Sequence, residues 1–181
     1  MKEGHLFRTK GRSQIYASLI MGKFNFKGEQ DFEKVRTDAE TFYVSIGEIR
    51  CPYFDEKVNF NAEGLKHLKF KSDKVARSHS EQYSRLKLLI FAPQILSLSR
   101  TVQGIWQTKH FERIRIHSRT DTILKPVSFY EFIAVLENMR AKVIVKQIDG
   151  GQKFFWSIIP YWKIDSINSR RILHSGDPEY D

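Results

Sequence analysis

Four side chains, His67, Glu131, Lys146 and Ser157, are of the types needed for acid–base chemistry on an anionic substrate. Histidine exchanges protons near neutral pH, and a carboxylate can accept a proton. A lysine ammonium offsets negative charge, and a serine hydroxyl donates a hydrogen bond. A proton acceptor, a donor and a cation are together what reaction at an anionic group requires. The question is whether the chain brings these four together.

A β-hairpin is predicted over residues 140–159, because two runs rich in β-branched and aromatic residues flank Asp149-Gly150-Gly151. Either Asp149-Gly150 or Gly150-Gly151 supplies the positive φ of a two-residue turn. In both registers Ser157 shares a face with Lys142, Ile144 and Lys146. The other face then holds the expected apolar residues of the sheet: Val143, Val145, Phe154, Trp156 and Ile158.

Glu131 lies in a further predicted strand, residues 127–136, which should pair with residues 140–148. A two-residue turn between them places Glu131 on the face of Lys142 and Lys146, whereas a three-residue turn turns it away. The alternative to a chemical role is a cross-strand ion pair with one of these lysines on a solvated face. Both interpretations fit the pattern.

His67 is predicted to lie on a short helix that begins after Asn61, a favourable N-cap residue, and runs through Leu68. Leu65 and Leu68 share one face of such a helix. At about 100° per residue, His67 points roughly 130° away from their midpoint. We therefore expect His67 to face water or a cleft, where it is either a functional group or an incidental surface histidine.

Two other segments could bind phosphate. If residues 112–117 form a strand, alternation places basic side chains along one side: Arg113, Arg115, His117 and Arg119. Guanidinium groups bind phosphate in bidentate fashion, although a charged edge strand that prevents aggregation would look the same. The loop before the next helix adds Arg77 and His79, which either clamp a phosphate or are ordinary loop surface.

Composition favours a polyanionic partner, since the 181 residues carry a net charge of +9 and a pI near 9.6. Nucleic acid fits this balance, although a basic surface that only aids solubility would give it too. The single cysteine, Cys51, cannot form an internal disulfide, so a cytoplasmic location is expected. No membrane span, metal-ligand spacing or nucleotide-binding glycine motif is present, so we expect no membrane, metal or cofactor.

Three regions are predicted along the chain. Residues 1–55 form an N-terminal β-rich extension with strands at 14–22 and 41–50 and a loop or short helix at 27–40 between them. Residues 56–164 form one α+β domain, in which helices, interrupted at Pro93, precede an antiparallel meander. Its strands are expected at 101–109, 112–117, 127–136, 140–148 and 152–159. Residues 165–181 form a polar C-terminal tail.

Several short stretches resemble the phage-encoded and toxin-system members of the barnase, EndoU, colicin-ribonuclease and RelE-like nuclease superfamily. They are residues 59–68 (NFNAEGLKHL), 85–89 (RLKLL), 130–131 (YE), 143–147 (VIVKQ) and 155–160 (FWSIIP). The resemblance covers about residues 57–163 and leaves the first fifty unexplained. It implies one or two helices followed by a four-stranded antiparallel sheet. It also implies a metal-independent ribonuclease that needs no cofactor, typically a toxin restrained by an antitoxin or immunity protein.

The resemblance also implies roles. The helix histidine of the family falls on His67, the basic strand residue on Lys146, where arginine is common, and the late Ser or Thr on Ser157. His67 would be the general acid or base, with Glu131 as its partner. Lys146 and Arg77 would stabilise the phosphate and Ser157 would hydrogen-bond to it, although Arg77 and Glu131 cannot be aligned with family residues. The product would be a 2′,3′-cyclic phosphate.

The remaining basic residues are expected to bind RNA: His79, Arg113, Arg115, Arg119 and Lys142. The competing hypothesis is a non-catalytic module that binds RNA or a protein partner on the same fold. Such a module would stack bases on aromatic side chains, for which the sequence offers Phe129, Phe155, Tyr161 and Trp162. The two hypotheses differ in whether His67, Lys146 and Ser157 converge on one cleft.

Overall fold

A computed structural model describes residues 28–179, except position 73 and residues 117–118, 137–138, 165–170 and 174–177. The α-helices are α1 (Glu29–Ile46), α2 (Ala62–Lys69), α3 (His79–Leu88) and α4 (Ala92–Leu98), and a 3-10 turn (Leu89–Phe91) joins the last two. The strands are β1 (Glu48–Cys51), β2 (Glu56–Asn59), β3 (Phe70–Ser72), β4 (Val75–Ala76), β5 (Gly104–Ile116), β6 (Arg119–Leu136), β7 (Met139–Ile148), β8 (Phe154–Pro160), β9 (Trp162–Ile164) and β10 (Arg171–Leu173). No helix among the described residues is long and apolar enough to cross a membrane.

The main sheet has six strands in the order β1-β2-β8-β7-β6-β5. All neighbours are antiparallel except β2 and β8, which meet in parallel at Asn59 and Phe154. The α+β prediction is confirmed, but the expected four-stranded antiparallel sheet is wrong in detail. Strands β1 and β2, which lie between α1 and α2 in the chain, extend the sheet beyond β8. The parallel pairing of β2 with β8 makes the sheet mixed.

The N-terminal region contains a long helix, α1, which covers the loop or short helix expected at 27–40 and continues into the expected strand. The prediction of a strand at 41–50 is wrong for residues 41–46, because α1 continues to Ile46, whereas β1 begins at Glu48. Phe32, Ala39 and Tyr43 are buried at helical spacing, and this packing outweighs the β-branched and aromatic composition of residues 41–45. The strand expected at 14–22 lies outside the described residues.

The two runs expected at 101–109 and 112–117 form one continuous strand, β5, which pairs with β6 along its whole length. The chain reverses direction after Ile116, and Arg119 begins β6 as the register partner of Ile116. The predicted single stripe is therefore wrong: Arg113 and Arg115 lie on β5, and Arg119 lies across the turn. The pairing of β6 with β7 ends at Val127, so β5 and β6 continue beyond the rest of the sheet as a two-stranded ribbon.

The main core lies between the helices and one face of the sheet, which we call the helix face. It includes Tyr43, Leu68 and Leu86 from the helices and Val143 and Phe155 from the strands. A smaller cluster on the opposite face contains Val127, Phe129 and Ile144, with Ile148 and Trp156 packed against it, and none of its members comes from a helix. We call this second side the outer face.

A β-bulge in β8 changes the predicted hairpin. Ile144 pairs with Ser157 as the two-residue turn predicted, but Val145 pairs with Phe155 and Lys146 with Phe154, so Trp156 is the extra residue. The prediction of a two-residue turn is therefore wrong, because residues 147–153 lie between Lys146 and Phe154, the last pair of the hairpin. Phe155 rather than Trp156 enters the main core, and Trp156 joins the outer-face cluster.

Other local predictions are confirmed. The Asn61 side chain accepts a hydrogen bond from the Gly64 backbone and caps α2. Pro93 lies in the first turn of α4, where it separates this helix from α3. The sequence left the length of the turn between β6 and β7 open, and the pairing of Leu136 with Met139 is the register of the two-residue alternative, which places Glu131 on the face of Lys142.

Candidate functional site

Helix α2 brings His67 against β8 through a backbone contact that depends on Gly64. A Cβ atom at Gly64 would lie 2.1 Å from the carbonyl oxygen of Phe155, so only glycine permits this approach. One turn later the His67 ring stacks on Trp156, with 3.9 Å between the centroids and 21° between the planes. The expectation that His67 points away from the buried side of its helix is wrong, because the residue is only 5% exposed; it borders a small cavity with Trp156.

Trp156 is the centre of the arrangement. Lys146 holds its Nζ atom 3.9 Å from the centroid of the Trp156 ring and 5.5 Å from that of Phe129, in cation–π geometry. The bulge in β8 makes this possible, because without the extra residue Trp156 would point into the main core. His67 and Lys146, 79 positions apart in sequence, therefore contact the same indole.

Arg77 is hydrogen-bonded to His67. Its Nε atom donates to the carbonyl oxygen of His67 at 3.1 Å, and its Nη2 atom lies 3.2 Å from His67 Nε2. A guanidinium can only donate, so Nε2 is the acceptor, and the neutral imidazole carries its proton on Nδ1. Arg77 is 3% exposed and is followed directly by the capping box of α3, formed by Ser78 and Glu81.

The charge state of His67 follows from these neighbours. Burial, which is the largest cause, and the positive charges of Arg77 and Arg85 together lower the pKa of His67 to about 2. Desolvation disfavours the charged imidazolium, and nearby cations disfavour it further. His67 is therefore neutral at physiological pH and can accept a proton but not donate one.

Ser157 joins the site through Arg85, a residue that our sequence analysis did not single out. The Arg85 guanidinium, from α3, donates to the Ser157 hydroxyl oxygen, and Arg85 is 7% exposed while Ser157 is fully buried. The signal was present: Arg85 precedes Leu88 and Leu89 by three and four residues, so it lies on the buried side of its helix. His67 and Lys146 thus share the Trp156 ring, and Ser157 is connected to them through Arg85, whose charge acts on His67.

Glu131 is engaged elsewhere. Lys142 Nζ donates to Glu131 Oε1 at 2.7 Å, and the two side chains are 4% and 18% exposed respectively. Ile144 lies between Glu131 and Ser157 in the row that crosses β6, β7 and β8. The ion-pair alternative describes Glu131 in this structure, and Lys142 is buried rather than on a surface that RNA could reach.

Arg77 and His79 do not form a phosphate clamp. Arg77 turns toward His67, whereas His79 Nδ1 lies 3.1 Å from Glu29 Oε2 and its ring stacks on Phe32 at 4.4 Å. His79 therefore joins α3 to α1. It is half exposed and stands apart from the Trp156 cluster.

The expected stacking residues are also partly corrected. Phe129 and Phe155 are fully buried and have no face for a base, and Tyr161 lies under Lys142, 5.5 Å from its Nζ atom. The side chain of Trp162 is outside the described part. The exposed aromatic residue of the outer face is instead Trp106, which is 50% exposed and pairs with Phe129 across β5 and β6.

The cavity beside His67 and Trp156 measures about 70 Å³ and has Glu63, Lys66 and Lys71 at its wall. It holds about two water molecules at their liquid volume. Within the described residues, no three His, Cys, Asp or Glu side chains come close enough to hold a metal ion.

Comparison with protein-family models, with curated proteins and with solved structures found no match for this chain.

Proposed function

We propose that this protein is a metal-independent ribonuclease that cleaves RNA by attack of the ribose 2′-hydroxyl. The observation that supports the proposal is that His67 and Lys146 contact the same Trp156 ring, while Arg85, whose charge acts on His67, donates to Ser157. This arrangement contains a proton acceptor, a cation and a hydroxyl, together with the guanidinium groups of Arg77 and Arg85. This is the set that the resemblance to the nuclease superfamily implied, with Arg85 added and Glu131 removed.

Phosphate binding is the first step. Buried guanidinium groups offer parallel N–H donors to phosphate oxygens, and charge-assisted bonds of this kind are stronger than the bond from Arg77 to a neutral imidazole. A phosphate at the mouth of the site would therefore draw Arg77 from His67 Nε2. Lys146 would supply further positive charge as the pentacoordinate phosphorus forms.

Proton transfer follows from the same exchange. Once Arg77 binds phosphate, Nε2 is open to the 2′-hydroxyl, and the negative phosphate opposes the lowering of the His67 pKa by the arginine charges. His67 takes the 2′ proton, the 2′-oxygen bonds to phosphorus, and the bond to the 5′-oxygen breaks. The 5′-oxygen leaves with a proton from water, and the product ends in a 2′,3′-cyclic phosphate.

The test is cleavage of transfer RNA and total RNA by purified protein in excess EDTA, with analysis of the product ends. We expect cyclic-phosphate ends from the wild type and at least about a hundredfold slower cleavage by His67→Asn, the range of loss when a general base is removed. His79→Asn is the matched control, since it removes a histidine that stands apart from the cluster. Equal cleavage by both variants, or cleavage only with added metal ions, would overturn the proposal.

One observation favours a second candidate, a module that binds RNA without cleaving it. His67 Nε2 is already engaged by Arg77, and the imidazole is 5% exposed, which suits a structural histidine in a phosphate-binding site. This candidate predicts intact RNA and salt-sensitive binding, which Arg85→Gln weakens and His67→Asn leaves largely unchanged.

The ribbon of β5 and β6 extends either candidate. It carries Arg113, Arg115 and Arg119, which we propose contact the RNA backbone away from the Trp156 cluster. An antitoxin or immunity protein as partner, and a cytoplasmic location, remain predictions from the sequence.

A further inference from the structure

A C-terminal segment of the chain, Pro178–Glu179, contacts the outer face of the sheet. Trp156 Nε1 donates to the carbonyl oxygen of Glu179 at 3.3 Å. His110 Nε2, on β5, lies 3.0 Å from Glu179 Oε1, and Pro178 is buried. The segment Pro178–Glu179 therefore joins β8 to β5 across the face on which Phe129 and Lys146 lie.

The two contacts make a specific site. A carboxylate can only accept, so His110 donates from Nε2, and the Trp156 indole donates to a backbone carbonyl. The ring of His110 lies 6.5 Å from that of Phe129, and Phe129 lies 6.2 Å from Trp156, so aromatic side chains fill the space beneath the segment. The carboxylate of Glu179 is 23% exposed, which is low for a glutamate on a sheet surface.

We propose that His110 and Trp156 form a binding site for an acidic peptide, that Pro178–Glu179 occupies it, and that this segment competes with RNA for the outer face. The competition rests on the proposed function, whereas the peptide site does not. Trp156 links the two sites, because its ring contacts His67 and Lys146 of the proposed RNA site and its N–H donates to Glu179. A carboxylate held on this face also places negative charge where a phosphate chain would run, and like charges repel.

The experiment compares four proteins: the wild type, a chain ending at Asp177, Glu179→Gln and Asp38→Asn. Asp38 is an exposed carboxylate on α1, so Asp38→Asn changes the net charge as Glu179→Gln does without touching the outer face. The probes are a fluorescent RNA whose 2′-hydroxyls are methylated, so that it cannot be cleaved, and a synthetic peptide of residues 174–181. Fluorescence anisotropy measures binding of each probe.

We expect the shortened chain and Glu179→Gln to bind RNA about three- to tenfold more tightly than the wild type, with Asp38→Asn unchanged. The shortened chain loses the His110–Glu179 contact and the hydrogen bond from Trp156, whereas Glu179→Gln keeps the backbone carbonyl and loses only the carboxylate charge, so its gain should lie at the lower end of this range. The peptide should bind the shortened chain, displace RNA from it, and bind at least about threefold more weakly when His110→Asn is added.

Each outcome decides a separate point. A peptide that fails to bind the shortened chain overturns the peptide site, whatever the RNA does. A peptide that binds while RNA affinity is the same in all four proteins overturns the competition. Peptide binding with no RNA binding by any protein, including the shortened chain, supports the site and contradicts the proposed function. Unfolding of the shortened chain, checked by circular dichroism, leaves Glu179→Gln to decide.

Discussion

Replacing Glu131 by glutamine should cost much more stability than the same replacement at Glu48. Both carboxylates accept a bond from a lysine at the same distance, 2.7 Å, but their surroundings differ. The Glu131–Lys142 side chains are 18% and 4% exposed, whereas the Glu48–Lys57 side chains are 45% and 68% exposed. The comparison isolates burial, because chemistry and distance are matched.

The magnitude follows from what remains behind. Glu131→Gln leaves the Lys142 ammonium buried with only an amide oxygen as acceptor, and breaking a buried pair in this way costs about 3–5 kcal/mol. The partial exposure of Glu131 and the surviving amide contact reduce this to about 2–3 kcal/mol. Glu48→Gln removes a surface pair, for which about 0–1 kcal/mol is usual.

The assay is equilibrium unfolding in urea at neutral pH, followed by tryptophan fluorescence. A loss of stability in Glu131→Gln no larger than that in Glu48→Gln would refute the assignment of a buried ion pair. The double variant Glu131→Leu with Lys142→Met removes both charges and should recover most of the lost stability. If it also retains RNA cleavage, Glu131 has no catalytic role.

Three further predictions concern the site. Gly64→Ala should destabilise the protein by about 1–3 kcal/mol, measured by unfolding in urea, because the new Cβ would meet the Phe155 carbonyl. This loss should appear despite a gain in helix propensity of about 1 kcal/mol. Equal or higher stability of the variant would contradict the backbone contact. The pKa of His67 is about 2 in the folded chain, against a usual value of 6.5. Between these pH values His67 binds a proton in the unfolded chain but not in the folded chain, so the free energy of unfolding falls as pH falls below 6.5. From pH 6.5 to 5, the free energy of unfolding of the wild type should fall by up to about 1.4 kcal/mol per pH unit more than that of His67→Phe. If the two free energies fall in parallel with pH, the low pKa of His67 is refuted. Trp106→Ala should weaken RNA binding by about 5- to 100-fold, as loss of one stacked base does, while Trp106→Phe retains most of the affinity; an unchanged dissociation constant would exclude stacking at Trp106.

Local patterns predicted the elements that short-range physics controls. The Asn61 cap of α2 and the break at Pro93 each depend on residues within a few positions of one another. The strand expected at 41–50 was wrong because its residues favour strands locally, while the burial of Tyr43 on a helix face is a property of the whole fold.

The site divides in the same way. The sequence alone determined the residue types, the helix that carries His67 and the strand pair that carries Lys146 and Ser157. Tertiary structure decided their relation, because Gly64 admits a close backbone contact, the β8 bulge turns Trp156 outward, and Arg85 reaches Ser157 from α3. It also paired Glu131 with Lys142 and buried His67 among cations. A bulge or a pKa near 2 depends on atoms brought together from distant positions, and no local pattern contains them.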